Sequence, residues 1–465
     1  MDAVTRTRAH APDEGLYPPT VAAPPAFLPL WRAIPRLIRN PIRSLPGPVY
    51  QEPIVLRQVG RARIAWVTAP EIVEQVLISG ADRFHKTAVE KRVLSPALGK
   101  GLLTSDGPQW RWQRRTVAPL FRPQDLTALV PSMSAEAERL LGQWRGEPSP
   151  RRRTIEHAMS EVTFRIIAST MFSGDGLEDG SRIQEMGRRY LQPITWEIAA
   201  GQLRLPEGLW HPGRGRIRRA ARGLRAVIAE IMTRRRASEV RKDDLLARLM
   251  AARDPESGQP MSEEQLIDNM ATFYLAGHET TAVALTWALY LLARAPAVQE
   301  QVRAEVAAVA GDTTITAEHV ERLEVTRRVL KEAMRLYPPV AMMARTIDEP
   351  MTLGGIALEP PTLILIPIYA IHRHVRLWMD PSRFDPDRFR PEEEARHART
   401  QWMPFGYGPR VCIGATFAML EATALLATLV RGARFDWDGR HLPEPVSRVT
   451  LRPKGGMPLL VTCLA

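Results

Sequence analysis

Residues 261–295 place the tightest limit on what this chain can fold into. Ser262 and Gln265, three residues apart, form a capping box, and the run that follows is apolar on nearly every side to Leu292, stopping at Ala295-Pro296. At 1.5 Å per residue, about 32 residues make a rod of ~48 Å, enough to cross a whole domain. A helix apolar all round must be buried, so the remaining chain has to be built around it.

The middle of that rod reads Ala276-Gly277-His278-Glu279-Thr280-Thr281. Glycine costs about 1 kcal/mol inside a helix, and a charged residue with two hydroxyls needs partners or water when buried. Two readings stand side by side: a polar functional site, or a kink whose threonines bond back to the preceding turn. A His-Glu-x-x-His zinc site is excluded by spacing, because the fourth residue after His278 is Ala282.

Hydrophobic residues make up 45% of the chain, which excludes a disordered polymer. No window approaches the roughly 18 consecutive apolar residues of a spanning helix, so no transmembrane segment is expected. Two cysteines, Cys412 and Cys463, cannot build a disulfide framework, and the start of the chain lacks a secretory pattern; a reducing, cytoplasmic location is expected. The net charge of +12 comes from arginines spread among carboxylates, so the runs at 151–153 and 234–236 read as solvated helix ends and no nucleic-acid partner is expected. The basic balance suits an acidic protein partner.

Residues 1–45 are rich in proline and read as an extended arm, ahead of a single domain over 46–465. Within the arm, residues 27–42 mix Leu30, Trp31, Ile34, Leu37 and Ile38 with Arg32, Arg36 and Arg39, a composition suited to weak contact with a membrane surface, although Pro29 and Pro35 should cut any helix there short. Alternation around Gly60-Arg61 predicts a β-hairpin over 54–68, and helical periods dominate afterwards, at 71–80, 110–121, 132–145, 155–172, 214–236 and 243–252. Further strands are expected at 356–367 and in a last hairpin near 449–461. The fold class is mainly α with a small β region.

Cys463 reads as a small buried hydrophobe. Cys412 does not, because it lies in Phe405-Gly406-Tyr407-Gly408-Pro409-Arg410-Val411-Cys412-Ile413-Gly414, a glycine-punctuated loop running into a helix. A cysteine at a helix mouth, near an arginine, has N–H groups and positive dipole to hold a thiolate. Gly406 and Gly408 allow tight turning, and Gly414 lets the backbone approach something large and flat. With no second ligand at cluster spacing, zinc and iron–sulfur sites are poorly supported, and one thiolate facing a flat neighbour suits heme iron.

Here the chain closely resembles the cytochrome P-450 family of heme-thiolate monooxygenases, from about Pro46 onward. Phe405, Gly408, Arg410, Cys412 and Gly414 meet its Phe-x-x-Gly-x-Arg-x-Cys-x-Gly signature. Glu332 and Arg335 match its Glu-x-x-Arg pair, an i, i+3 spacing on one helix face, and Arg388 in Pro386-Asp387-Arg388-Phe389 is implied to complete that charged network, with Asp387 where glutamate is commoner. The resemblance implies the P-450 fold, a triangular helical prism, and heme b with iron on the Cys412 thiolate. It also implies Glu279 and Thr280 as the acid and alcohol that organise water for proton delivery, Gly277 as the opening over the iron, and Trp110, Arg114, Arg345 and Arg410 as partners of the heme propionates. His278 is assigned no catalytic role.

Substrate-facing segments by resemblance are 87–103, 177–212, 273–276 and 340–343, offering Phe273, Ala276, Val340 and Met342, an apolar lining suited to a fatty acid, terpenoid or steroid-like molecule. The chemistry expected is insertion of one atom of O2, with electrons from a ferredoxin or flavodoxin and its NAD(P)H-dependent reductase. Two alternatives are weighed: a heme-thiolate peroxygenase or isomerase, and a non-catalytic heme-binding sensor. Both leave the acid–alcohol pair less well explained.

Overall fold

In the computed structural model, which describes residues 15–464 except 61, 176, 203, 204, 208 and 239–241, the proline-rich start is tied to the body through its carbonyls. Leu16 O accepts from Phe384 N at 2.8 Å, Pro19 O from the Tyr337 hydroxyl at 2.8 Å and Pro24 O from Gly47 N at 2.7 Å. Proline cannot donate, yet its carbonyl is free to accept, so an extended segment can still be anchored. Residues 1–14 of the arm lie outside the described residues. The expectation that two prolines cut the next helix short holds at Pro29 and fails at Pro35: α1 (Leu30–Arg39) starts after Pro29, its N-cap, and runs on through Pro35. Pro29 precedes the first turn, and on a helix this exposed water can serve the one carbonyl that Pro35 leaves without a donor.

The hairpin appears as β1 (Ile54–Val59) against β2 (Ala62–Val67). Later strands are β3 (Arg151–Thr154), β4 (Met343–Ile347), β5 (Met351–Leu353), β6 (Ile356–Leu358), β7 (Thr362–Ile366), β8 (Ala433–Asp436), β9 (Pro445–Ser447), β10 (Leu451–Pro453) and β11 (Pro458–Cys463). They form one four-stranded sheet, β1-β2-β7-β4, a three-stranded sheet, β3-β11-β8, and two pairs, β9-β10 and β5-β6. Two expectations fail here. Arginines 151–153 lie in β3, opposite Leu459, Leu460 and Val461, because β11 needs a partner on each edge. The expected last hairpin is absent for the same reason: β10 pairs with β9, and β11 pairs elsewhere.

Helix accounts for 56% of the structure. The helices that position the site are α2 (Ala88–Leu98), α3 (Gly107–Val117), α4 (Val130–Arg145), α5 (Ile155–Ile166), α6 (Gly180–Leu191), α7 (Ile194–Gln202), α8 (Arg214–Ala237), α9 (Glu263–Arg294), α10 (Glu324–Leu336) and α11 (Ala415–Gly432). Both arms of the capping box are made, Gln265 N to the Ser262 hydroxyl and Ser262 N to Gln265 Oε1, and α9 runs 32 residues through the core. It is flanked by α5, α8, α10 and α11. The apolar α11 is long enough to cross a membrane, but 67% of it is buried inside the fold, against α4 and α9. A second, smaller apolar cluster joins the four-stranded sheet to Ile72, Val76, Leu77 and Met403. Arg235 departs from a solvated helix end: it is buried, with Nη1 and Nη2 on Asp244 at 2.9 and 2.6 Å and Nε on Asp175.

Candidate functional site

Residues 403–414 fold back on themselves ahead of α11. Gly406 N bonds Met403 O, Val411 N bonds Gly408 O, and Cys412 N returns to Phe405 O at 2.9 Å. Gly406 and Gly408 have φ of +72° and +75°, and a Cβ on Gly408 would lie 2.1 Å from the Leu77 carbonyl oxygen, so only glycine fits that seat. Cys412 is thereby held two residues before Gly414, the N-cap of α11. Solvent reaches Cys412, yet protein crowds its sulfur enough that burial raises the thiol, against the Gly414 N–H and the Arg114 guanidinium, which lower it. A Cβ on Gly414 would meet nothing within 4 Å, so the helix mouth is open there. Phe405 packs, half-buried, against the main core.

From Asp268 to Leu292, α9 is buried except at Leu275, Ala276, Gly277 and Thr280, and Ala276 is exposed. Ala276 and Thr280, four apart, share one face, and the Thr280 hydroxyl donates to Ala276 O at 2.7 Å. Both readings of this stretch are therefore met: the threonines back-bond, and the helix keeps an accessible polar face. Glu279 points elsewhere. It accepts from the Thr450 hydroxyl and pairs with Arg452 Nη2 at 2.8 Å, while Arg452 also reaches Glu156 at 3.6 Å. Burial lowers Arg452, but Glu279 and Glu156 more than offset it, and its guanidinium is held above its ordinary range. The acid and the alcohol are chain neighbours that do not touch. A Cβ on Gly277 would lie 2.7 Å from Ile167 Cδ1, so the glycine lets that side chain pack close, and Ala276 beside it is exposed. His278 is buried, its Nδ1 on Tyr274 O, and burial lowers it, which keeps the ring neutral.

Cations gather beside the cysteine loop. Arg410 donates to Ser105 O at 3.1 Å and to Asp106, and lies 4.2 Å above the Trp110 ring. Arg345 is buried and donates only to Ala344 O, at 2.8 Å; burial lowers it, as it does half-buried Arg114. Among the described residues neither Arg114 nor Arg345 has a carboxylate within ion-pair distance. Lys86, which no motif in the sequence marks, adds a buried ammonium on Glu90 and Leu103 O, lowered by burial and then by Arg410 and Arg345. A guanidinium buried like that of Arg345 without an ion-pair partner is costly, and an anion in the same place would offset the cost. The site thus fits a flat group with two carboxylates and a metal that takes a thiolate.

Glu332, Arg335 and Arg388 come together as expected. Arg335 is fully buried, bidentate to Glu332 at 2.6 and 2.7 Å, and donates to the carbonyls of His372, Pro381 and Arg383. Arg388 Nε lies 3.7 Å from Glu332, which also accepts from Asp385 N; Asp387 turns to Arg328 instead. His372 links this network to the loop, because its Nε2 accepts from Met403 N at 2.9 Å. Burial, with Arg335 and Arg373 nearby, takes His372 down to about 3, so it is neutral.

Of the pocket candidates, Val340 and Met342 are half-buried beside the core, whereas Phe273 is buried edge-on against Phe121, centroids 5.6 Å apart. Elements α2 and α7 join over this region through Arg92 Nε to Glu197 at 2.7 Å, with His211 Nε2 on the same carboxylate at 2.7 Å. Sequence reasoning missed Thr450, Arg452 and Lys86, and also Glu421 on α11. Glu421 is fully buried, neither carboxyl oxygen has a hydrogen bond of ordinary geometry among the described residues, and desolvation pushes it up to about 8 against the nearby Thr281 hydroxyl.

The cytochrome P450 family model matches residues 24–460. The chain is 34% identical to a cyclooctatin synthase of Streptomyces melanosporofaciens, over 94% of this chain and 92% of that protein, and 32% identical to a cyclooctat-9-en-7-ol 5-monooxygenase of the same organism, over 92% and 91%. A cytokinin hydroxylase of Arabidopsis thaliana is 30% identical over 87% and 82%. In structure it resembles a crystallised cytochrome P450DA heme domain, with a TM-score of 0.78 at 25% identity, covering 88% of this chain and 89% of that one.

Proposed function

The chain belongs to the cytochrome P450 family, a heme-dependent monooxygenase with thiolate-ligated iron, and from that premise we propose that it inserts one oxygen atom of O2 into a cyclic, lipophilic alkene alcohol of terpenoid or steroid-like shape. The observation that carries the substrate class is the likeness, over more than nine-tenths of each chain, to two proteins named for cyclooctatin chemistry, one an oxygenation of a cyclic alkenol. The apolar character of Val340, Met342 and Ala276, pocket positions that the family resemblance implies, supports it over a linear fatty acid with a carboxylate to anchor, since Arg188 and Arg189 are both taken up by Glu185.

Cys412 would supply the thiolate to the iron, and Arg114, Arg345, Arg410, Lys86 and Trp110 would hold the propionates. Bound heme supplies O2 activation, helped by electron donation from the thiolate. The remaining work falls to α9. Thr280 Oγ1, parked on Ala276 O, can rotate one bond to donate into the accessible face, and the Ala276 carbonyl resets it. Arg452, which stays protonated, holds the Glu279 carboxylate, and Glu279 would pass protons between solvent water beside half-exposed Arg452 and the Thr280 hydroxyl, with water as the bridge. Apolar surroundings exclude other water and strengthen each of these contacts.

Electrons would come from a separate ferredoxin or flavodoxin in the cytoplasm. Trp110, Arg111, Arg114, Arg115, Ala118 and Pro409 frame a surface depression of about 380 Å³ close to the cysteine loop, suited to an acidic partner, so the reduction rate should fall as salt rises. The direct test is a spectral titration of the heme-loaded protein with cyclic terpenoid alcohols, steroids and fatty acids, followed by turnover with reductase and O2. Saturable shifts and product with fatty acids alone would overturn the substrate class. Cys412→Ser should abolish the thiolate-type spectrum of the reduced carbon monoxide complex, and its survival would overturn the ligand assignment.

A further inference from the structure

Arg452, on β10, carries a carboxylate on each side of its guanidinium. Its Nη2 and Nε lie 2.8 and 3.2 Å from Glu279 Oε1, and its Nη1 lies 3.6 Å from Glu156 Oε1. Glu156 stands in the first turn of α5, the helix that packs along α9. The two acids are held unequally. Glu279 accepts from Arg452 and from the Thr450 hydroxyl, whereas among the described residues Glu156 accepts no hydrogen bond and is held by charge alone. Side-chain exposure falls from 37% at Arg452 to 22% at Glu156 and 7% at Glu279, so of the two acids Glu156 is the one that solvent reaches. An acid with open lone pairs at the rim and an acid with filled ones inside, joined by one cation, form an ordered pair from surface to core.

Charge decides what such a pair can do. One guanidinium neutralises one carboxylate, and a second carboxylate on the same cation is repelled by the first. At Glu156, burial raises the carboxyl, Arg452 opposes that, Glu279 adds to it, and exposed His157, next in the chain, opposes it. Arg448, in the turn between β9 and β10, is a like charge beside the guanidinium and is lowered by burial and then by Arg452. Arg452 itself keeps its proton, because Glu279 and Glu156 outweigh its burial, so it is a fixed counter-charge and not a carrier. A proton on Glu156 can therefore cross a bridging water to the Glu279 carboxylate. The negative charge then moves outward to Glu156, still beside Arg452, and a proton from bulk water reloads it, with no other reactant consumed.

We propose that Glu156 is the outer group of the proton relay, taking protons from solvent and handing them to Glu279 across Arg452. The inference rests on the proton delivery through Glu279 and Thr280 proposed above, and Glu156 acts only through Glu279. The test compares heme-loaded, full-length wild type with Glu156→Gln, Glu156→Asp and Thr280→Ala, using as substrate the compound that gives the largest shift in the spectral titration. In Glu156→Gln, kcat and product formed per NAD(P)H should each fall about fivefold with KM unchanged, and Glu156→Asp should recover most of both. The wild-type kcat should vary with pH where Glu156 titrates, and the profile of Glu156→Gln should be flat there. Infrared difference spectra between acid and neutral pH, which need no turnover, should show a protonated-carboxyl band titrating above 4.5 in wild type and missing from Glu156→Gln. Uncoupling by Thr280→Ala with none by Glu156→Gln would overturn the outer relay and leave delivery at Thr280 standing, whereas unchanged coupling in Thr280→Ala would overturn both. A loss of kcat with an unaltered pH profile, which a purely structural role would give, or an infrared spectrum of Glu156→Gln identical to that of wild type, would also overturn the proposal.

Discussion

Raising the pH through the neutral range should destabilise this protein by way of one side chain, Glu421. Desolvation moves its carboxyl from 4.5 to about 8 in the folded state, and among the described residues neither oxygen has a hydrogen bond of ordinary geometry. The nearby Thr281 hydroxyl, which donates to Gly277 O at 3.3 Å, pulls the carboxyl down, but desolvation outweighs it. A folded state that holds a proton the unfolded state has released is more stable below 4.5 and loses that advantage up to about 8. At ~1.4 kcal/mol per pH unit, the whole interval amounts to about 5 kcal/mol, and the step from pH 6 to pH 8, where ionisation sets in, to about 2 kcal/mol. Glu421→Gln keeps the shape and removes the titration. Urea unfolding of the heme-loaded wild type and variant at several pH values should therefore give curves that diverge by that amount, the variant gaining as pH rises. Parallel curves would refute the reasoning, because they would mean that the acid is ionised or solvated in the native state.

Thr280→Ala should leave heme content and substrate affinity intact while diverting about tenfold more of the electron flow to hydrogen peroxide, measured as peroxide formed per NAD(P)H consumed. Arg452→Gln removes a charge-assisted bond worth roughly 1.5–3 kcal/mol from Glu279; turnover should drop about tenfold with substrate affinity unchanged, as a split between kcat and KM will reveal. Glu332→Ala strands the fully buried Arg335 guanidinium and should cost about 3–5 kcal/mol in denaturant unfolding, with loss of heme on mild heating.

The parts of the site that could be read from the chain are those whose residues crowd into one short window. Cys412 and its glycines, the Glu332-Arg335 pair and the capped central helix each declare themselves by spacing, because local geometry decides what they do. Pairings across long separations left no such mark. Arg452 meets Glu279 from 173 residues away, and its own neighbourhood, Thr450-Leu451-Arg452, looks like any edge strand. Lys86 is one cation among 63, distinguished only by where the fold buries it. Arginines 151–153 were misread for a related reason: a charge run gives no hint that β11 will demand a partner. Gly277 is a similar case, since nothing in its neighbourhood along the chain announces that Ile167 packs against it.

Leu77 carries no chemistry, yet its main-chain oxygen abuts Gly408 so closely that the loop bearing Cys412 has nowhere else to rest. The sulfur is thus indexed to the sheet-bearing cluster through a close backbone touch, next to the packing of Met403 in that same cluster. A chimera that transplants residues 405–414 into a relative must bring the turn around 75–79 with it, or the graft will lose its abutment and the ligand its aim.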